Sequence, residues 1–275
     1  MELLAPAKVN LGLSVLGRRP DGYHELHTVF VALQVADRLF LEAIPEGVEL
    51  EVRGSGLPAN PDNLVYKAAV AYLNAAGWPG GVKVVLEKNL PLAAGLGGGS
   101  SDAAAVLRGL SRLYPASLDL PGMALRLGAD VPFFLQVGLA EARGVGEQLR
   151  PLPPLEAHLV LLNPGIAVSA ADAYRHLRPE EWQPELDVPG ILAAIRAGEE
   201  PPYWNTLEQP VFRLVPYLQE LKLELRRAGL RGVLLSGSGS SLFGLARSAE
   251  EARFVAQTLR TRYPRFWVVA TQTVS

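Results

Sequence analysis

The chain has 275 residues, 49% of them hydrophobic and 20% charged, enough apolar material for one large or two ordinary packed domains, which excludes a disordered chain. A formal net charge of −2 without a basic block excludes nucleic acid or an anionic membrane as the main partner, so positive charge used on a phosphate has to be local. The absence of cysteine excludes disulfides, thiolate metal sites and cysteine nucleophiles, and fits a cytoplasmic protein. The first ten residues lack a basic region followed by an apolar run, so no secretory signal is expected, and no apolar stretch approaches the ~20 residues of a membrane helix.

In chain order, Val9, Leu11, Leu13 and Val15 alternate with smaller or polar residues and predict a half-buried strand, with Lys8 and Asn10 on its other face. Arg19-Pro20-Asp21-Gly22 predicts a turn. β-rich stretches follow at 24–35, 38–44 and 48–53, then a helix over 64–76 capped by Asn63 and ended near Gly77. A strand at 82–87 leads into a glycine-rich segment and a helix running to about Tyr114, and a further helical piece follows Pro121 and stops near Gly128. After a short strand at 139–142, Pro151-Leu152-Pro153-Pro154 marks a domain boundary, giving domains of 1–150 and 151–275. Beyond it come a strand (157–162), helices (169–177, 188–197, 210–228), two strands (232–236, 242–246), a helix (248–262) and a strand (266–271). That order predicts an α+β layer, an antiparallel sheet with helices on one side.

The segment from Leu90 to Asp102 holds four glycines between a strand and a strong helix start. Bare backbone N–H groups at the positive end of a helix accept phosphate oxygens, and glycines let the backbone come close to them. Ser100 and Ser101 add hydroxyls; a serine-capped flexible turn is the plainer alternative. Common motifs fail here. A Walker loop needs Lys where Ser100 stands, the dinucleotide fingerprint needs Gly at the same place, and no G-x-S-x-G elbow occurs at this segment or at Gly237–Ser241. His24-Glu25-Leu26-His27 is one residue short of zinc-protease spacing.

Three segments together resemble the GHMP kinases: Ala5–Leu13, Pro91–Ala104 and Leu235–Phe243. Within the family, Pro20–Leu26 and Leu127–Phe134 are similar to a member acting on a cytidine-diphosphate-linked polyol in the non-mevalonate route to isoprenoids, with Gly144–Glu147, Asn163–Gly165 and Asn205–Glu208 adding to the likeness. The resemblance implies a two-domain GHMP kinase-like fold: an N-terminal ATP-binding and catalytic domain, a C-terminal substrate domain, and an active site in the cleft between them. It implies transfer of phosphate from ATP, with Mg²⁺, to the 2-hydroxyl of the polyol, and it names no direct metal ligand. Similar sequences often carry Asn in place of Asp102.

By the same resemblance Asp130 is the base and Lys8 its cationic partner at the transferring phosphate; by themselves they read rather as a helix-cap or turn aspartate and an exposed strand lysine. Asn10 would bond substrate oxygens, and Tyr23, His24 and Tyr174 would stack on a base, Tyr174 from the opposite side. ATP would be held by Asn63, Lys88, Pro91, Gly95, Leu96, Gly97, Gly98, Gly99, Ser100 and Ser101, although alone Asn63 and Lys88 read as a helix start and a surface lysine. Gly237, Ser238, Gly239 and Ser240 would close over the substrate region, or form a simple hairpin. A kinase for another alcohol, such as homoserine or mevalonate, is the nearest rival; it would give the Tyr23-His24 pair no base to stack on. A nucleotide-binding module without turnover would need neither Lys8 nor Asp130.

Overall fold

A computed structural model describes residues 1–136 and 138–274. They form two compact units: Met1–Ala7, Val35–Leu90 and Gly97–Val137 make the first, and Lys8–Gln34, Pro91–Leu96 and Gly138–Ser275 the second. The sequence draws one boundary at Pro151–Pro154; the chain instead crosses between units five times. Two of these crossings fall inside the strands β1 (Glu2–Arg18) and β2 (His24–Ile44), each of which supplies residues to both units. Pro151 itself closes a strand, β6 (Gln148–Pro151).

In the first unit, β2 pairs antiparallel with β4 (Gly81–Glu87), and β3 (Val48–Arg53) pairs parallel with β4, setting Val48 opposite Val82. Helix α1 (Leu64–Ala76) connects β3 to β4, the crossover that a parallel pair needs. Its ends are those the sequence signals: Asn63 accepts from the Val65 amide at 2.9 Å, and Gly77 stops it in the left-handed conformation. Helix α2 (Gly98–Leu113) carries a buried Ala103–Leu107 face. Its Gly109 is required by packing, because a Cβ there would sit 2.5 Å from Leu3 and 2.6 Å from Leu41. Two short helices complete the unit, α3 (Leu120–Leu127) and α4 (Val131–Leu135); the sequence reading has no counterpart for α4. Tyr72, Phe133 and Phe134 are its largest fully buried side chains.

In the second unit, β2 pairs with β5 (Leu139–Gly144) and β5 with β6, all antiparallel. A four-stranded antiparallel sheet has the order β10-β7-β9-β8, built from β7 (His158–Asn163), β8 (Arg231–Leu235), β9 (Leu242–Ala246) and β10 (Trp267–Gln272). Helices α5 (Ala170–Arg175), α6 (Val188–Ala197), α7 (Glu208–Leu214), α8 (Tyr217–Arg227) and α9 (Ala249–Arg262) complete it. The single helix expected over 210–228 divides into α7 and α8 around Val215-Pro216, since proline disfavours helix in the residue before it. Val160 and Leu162 of β7, Leu218, Leu221 and Leu225 of α8, and Val255 and Leu259 of α9 share one apolar core.

Candidate active site

In the first unit the glycine-rich segment becomes α2. Gly97 caps it at φ +70°, a conformation open to glycine, and the helix starts at Gly98 with no side-chain cap. Ser100, half-buried in its first turn, lies beside Gly128, where a Cβ would be 3.9 Å from the Ser100 hydroxyl. Two residues on, Asp130 stands at the head of α4, half-buried, its carboxylate making no cap bond. The candidate base and the uncapped helix end are therefore held in one corner of this unit. Asn63 is spent on the α1 cap and on the Pro58 carbonyl at 3.0 Å.

Lys88 is not the surface lysine of the plain reading. Its side chain is buried beneath Gly98, 3.3 Å from where a Cβ there would be, and its ammonium bonds Asp102 Oδ2 at 2.7 Å and Asp37 Oδ2. Asp37 also accepts from the amides of Asn89 at 2.6 Å and Leu90 at 2.8 Å. Burial pushes the Asp102 carboxyl up to about 7, with Lys88 opposing the rise and Asp37 adding to it. Burial works against the Lys88 charge, but the two carboxylates outweigh it and hold the ammonium above its ordinary value. Asp102 Oδ1 and the Ser101 hydroxyl are buried with no hydrogen-bond partner among the described residues. Lys88 thus pins the strand end, the loop that follows it and the first turn of α2 to one another. Asp37 is absent from the sequence reading; it lies in the two-residue gap between the β-rich stretches 24–35 and 38–44.

In the second unit, Lys8 is buried on β1 and donates to Asn10 Oδ1 at 2.8 Å. Asn10 Nδ2 donates to the Thr28 hydroxyl at 2.8 Å, and Thr28 donates to the Gly12 carbonyl at 2.7 Å. The ammonium also lies 5.0 Å from the Phe30 ring centre. This relay sets the lysine head; the sequence placed Lys8 and Asn10 on one strand face but assigned Asn10 to substrate oxygens, not to the lysine. The Lys8 amide bonds the Leu96 carbonyl at 2.9 Å, tying the glycine-rich segment to β1.

The loop after β8 is more than a hairpin turn. Gly237 sits against Lys8 and Asn10, with a Cβ there 3.5 Å from both the Lys8 ammonium and Asn10 Oδ1. Ser236 donates to the Gly95 carbonyl at 3.0 Å, and Ser241 N–H to the Ala94 carbonyl at 3.2 Å. Asn205 holds the loop from within, donating to the carbonyls of Leu235 and Gly237. Asn163 donates to the hydroxyls of Ser240 and Ser241. Ser238 is half-buried on this loop, and Gly239 packs on Leu235. Pro91, half-buried, opens the stretch to which the loop is bound.

Tyr23 is exposed after its turn, while His24 and Tyr174 stack on one another with centroids 5.1 Å apart and planes 23° apart. A base seated between these rings has to part them. Burial and the nearby Arg18 lower the His24 pKa, which favours the neutral imidazole for stacking. On the neighbouring strand residue, His27 bonds Glu141 at 2.9 Å and accepts from the Leu186 amide at 3.0 Å, fixing the segment before α6. That network also lay outside the sequence reading.

Phosphate-accepting backbone at a helix start, a carboxylate beside it and a buried, hydrogen-bonded lysine are what a small-molecule phosphotransferase needs. The GHMP kinases N terminal domain matches residues 63–138, and the GHMP kinases C terminal domain residues 189–265. The chain belongs to the GHMP kinase family. Its similarity to the 4-diphosphocytidyl-2-C-methyl-D-erythritol kinase of Thermus thermophilus is 55% identity over 269 residues, covering 97% of this chain and 95% of that one. A crystal structure of 4-(cytidine 5′-diphospho)-2C-methyl-D-erythritol kinase is 54% identical, with a TM-score of 0.92 and full coverage of both chains. A homoserine kinase from Cytophaga hutchinsonii shares the fold at 21% identity and a TM-score of 0.72, over 100% of this chain and 94% of that one.

Proposed function

We propose that this chain transfers the γ-phosphate of ATP to the 2-hydroxyl of 4-diphosphocytidyl-2-C-methyl-D-erythritol, in the non-mevalonate route to isoprenoids. The observation that carries the reading is the corner formed by the uncapped start of α2, Ser100 and the turn bearing Asp130. Amides of Gly98–Ser100 and the helix dipole bind the triphosphate. Asp130 accepts the proton of the acceptor hydroxyl as its oxygen bonds the γ-phosphorus and the bond to the β-phosphate oxygen breaks, leaving ADP. Lys8, oriented by Asn10, offsets charge on the transferring group.

No group of three or more His, Cys, Asp or Glu able to hold a metal occurs among the described residues. Mg²⁺ takes most of its oxygens from phosphates and water and one or two from a protein. Asp130 and Ser100 would supply them, and the ion would neutralise phosphate charge.

His24 and Tyr174, with Tyr23, recognise the cytosine. The test compares specificity constants for the cytidylated acceptor, its uridine analogue and free methylerythritol. One stacking face contributes roughly 1–3 kcal/mol, so Tyr174→Ala should lose about 5- to 150-fold. Uracil reverses the donor and acceptor at its 4-position and should be a poor substitute. Equal efficiency with free methylerythritol refutes the acceptor while leaving a kinase.

A further inference from the structure

The antiparallel pairing of the four-stranded sheet gathers His158 at the start of β7, Arg231 at the start of β8 and Ala246 at the end of β9. Asn163 and the Gly237–Ser241 loop lie at the other end. The five steps from His158 to Asn163 span about 17 Å at ~3.4 Å per residue. At the His158 end opens a groove of 620 Å³. Arg196, Arg231, Arg247 and His158 line it, with Glu156 as the one acidic residue, over apolar surface from Ile195 and Leu245.

Two nitrogens here are buried without a hydrogen-bond partner among the described residues: Arg231 Nε and His158 Nδ1. Leaving such a group unpaired costs roughly 1–3 kcal/mol, so buried polar atoms nearly always find partners. A purely structural role explains part of the cluster. Arg231 Nη1 donates to the Glu199 carbonyl at 3.1 Å and Arg196 to the Pro154 carbonyl at 3.4 Å, near the end of α6, where cations are favoured. Each arginine has further donors, however, and Arg247 has no such task. Among the nearby acids, Glu200 accepts from the Gly232 amide and Glu251 from the Arg247 amide.

We infer that this groove is a second anion site, built for a small diphosphate. Guanidinium groups pair with phosphate oxygens two at a time, and three around one groove exceed what a single phosphate needs. The volume leaves room for an organic group on the diphosphate, against Ile195 and Leu245. The site lies a sheet's length from the loop that packs on Lys8, so it takes a ligand other than the reacting nucleotide.

The test is calorimetric titration of inorganic pyrophosphate into the full chain saturated with a non-hydrolysable ATP analogue, which keeps pyrophosphate off the nucleotide site. One pyrophosphate per chain should still bind. Arg247→Gln and Arg231→Gln should each weaken it at least tenfold while leaving kcat and the KM for ATP unchanged without pyrophosphate. Arg247 is exposed and its side chain makes no hydrogen bond among the described residues, so that variant remains informative should Arg231→Gln unfold. No uptake with the analogue bound, or undiminished uptake by Arg247→Gln, overturns the site. Orthophosphate binding as tightly as pyrophosphate overturns the diphosphate assignment.

Discussion

Replacing Asp102 with Asn tests the buried cluster under the phosphate-binding helix. Asp102 is fully buried, its Oδ2 accepts from Lys88 at 2.7 Å, and its Oδ1 has no partner among the described residues. Its folded pKa of about 7 lies above the ordinary value of 3.8, so the folded state holds the proton more tightly than the unfolded chain does. Ionisation above pH ~4 therefore costs stability, and the cost grows until the pH passes about 7 and then levels off. Each pH unit inside that window is worth ~1.4 kcal/mol, so wild type should lose about 2–3 kcal/mol between pH 5 and pH 8 through this one group. Asn keeps an oxygen for Lys88, leaves the Lys88–Asp37 pair neutral overall, and has nothing to ionise. Urea unfolding of both proteins at pH 5, 6, 7 and 8 reads the difference directly. The Asn variant should gain on wild type steadily to pH 7 and no further. A difference that stays flat, or that narrows as pH rises, refutes the raised carboxyl and with it this view of the cluster.

Asp130→Asn and Lys8→Ala should each lower kcat by about 10²–10³. Near-normal turnover in both single variants, measured by ADP release, would remove their assignment. Thr28→Val keeps the shape but strands the Asn10 amide and the Gly12 carbonyl. It should cost roughly 1–3 kcal/mol in urea unfolding and lower kcat with little change in the KM for ATP. Gly95→Ala should be strongly destabilising, since φ is +74° and the new Cβ would lie 2.0 Å from the Ser236 carbonyl. A melting temperature within 1 °C of wild type (an order-of-magnitude threshold) would show that the loop yields freely.

Local chemistry was legible in the sequence because it acts over a few residues. Asn63 and Gly77 bracket α1 as a cap and a left-handed stop, the glycines before Asp102 open a helix, and alternation marks β1. The candidate site residues were named from short motifs for the same reason. What tertiary structure decided are pairings between residues far apart in the chain. Lys88 looks like any lysine after a strand until Asp37, 51 residues away, and Asp102 close on it. The relay from Lys8 runs on from Asn10 to Thr28, on another strand. The parallel register of β3 on β4 and the crossings between units inside β1 and β2 depend on which strands pair, not on any one segment. The arginine groove exists only because sheet pairing gathers the ends of three strands at one place. Caps and periodicities are energies of neighbours along the chain, whereas burial of a charge and its partner is an energy of packing, which no short stretch of sequence contains.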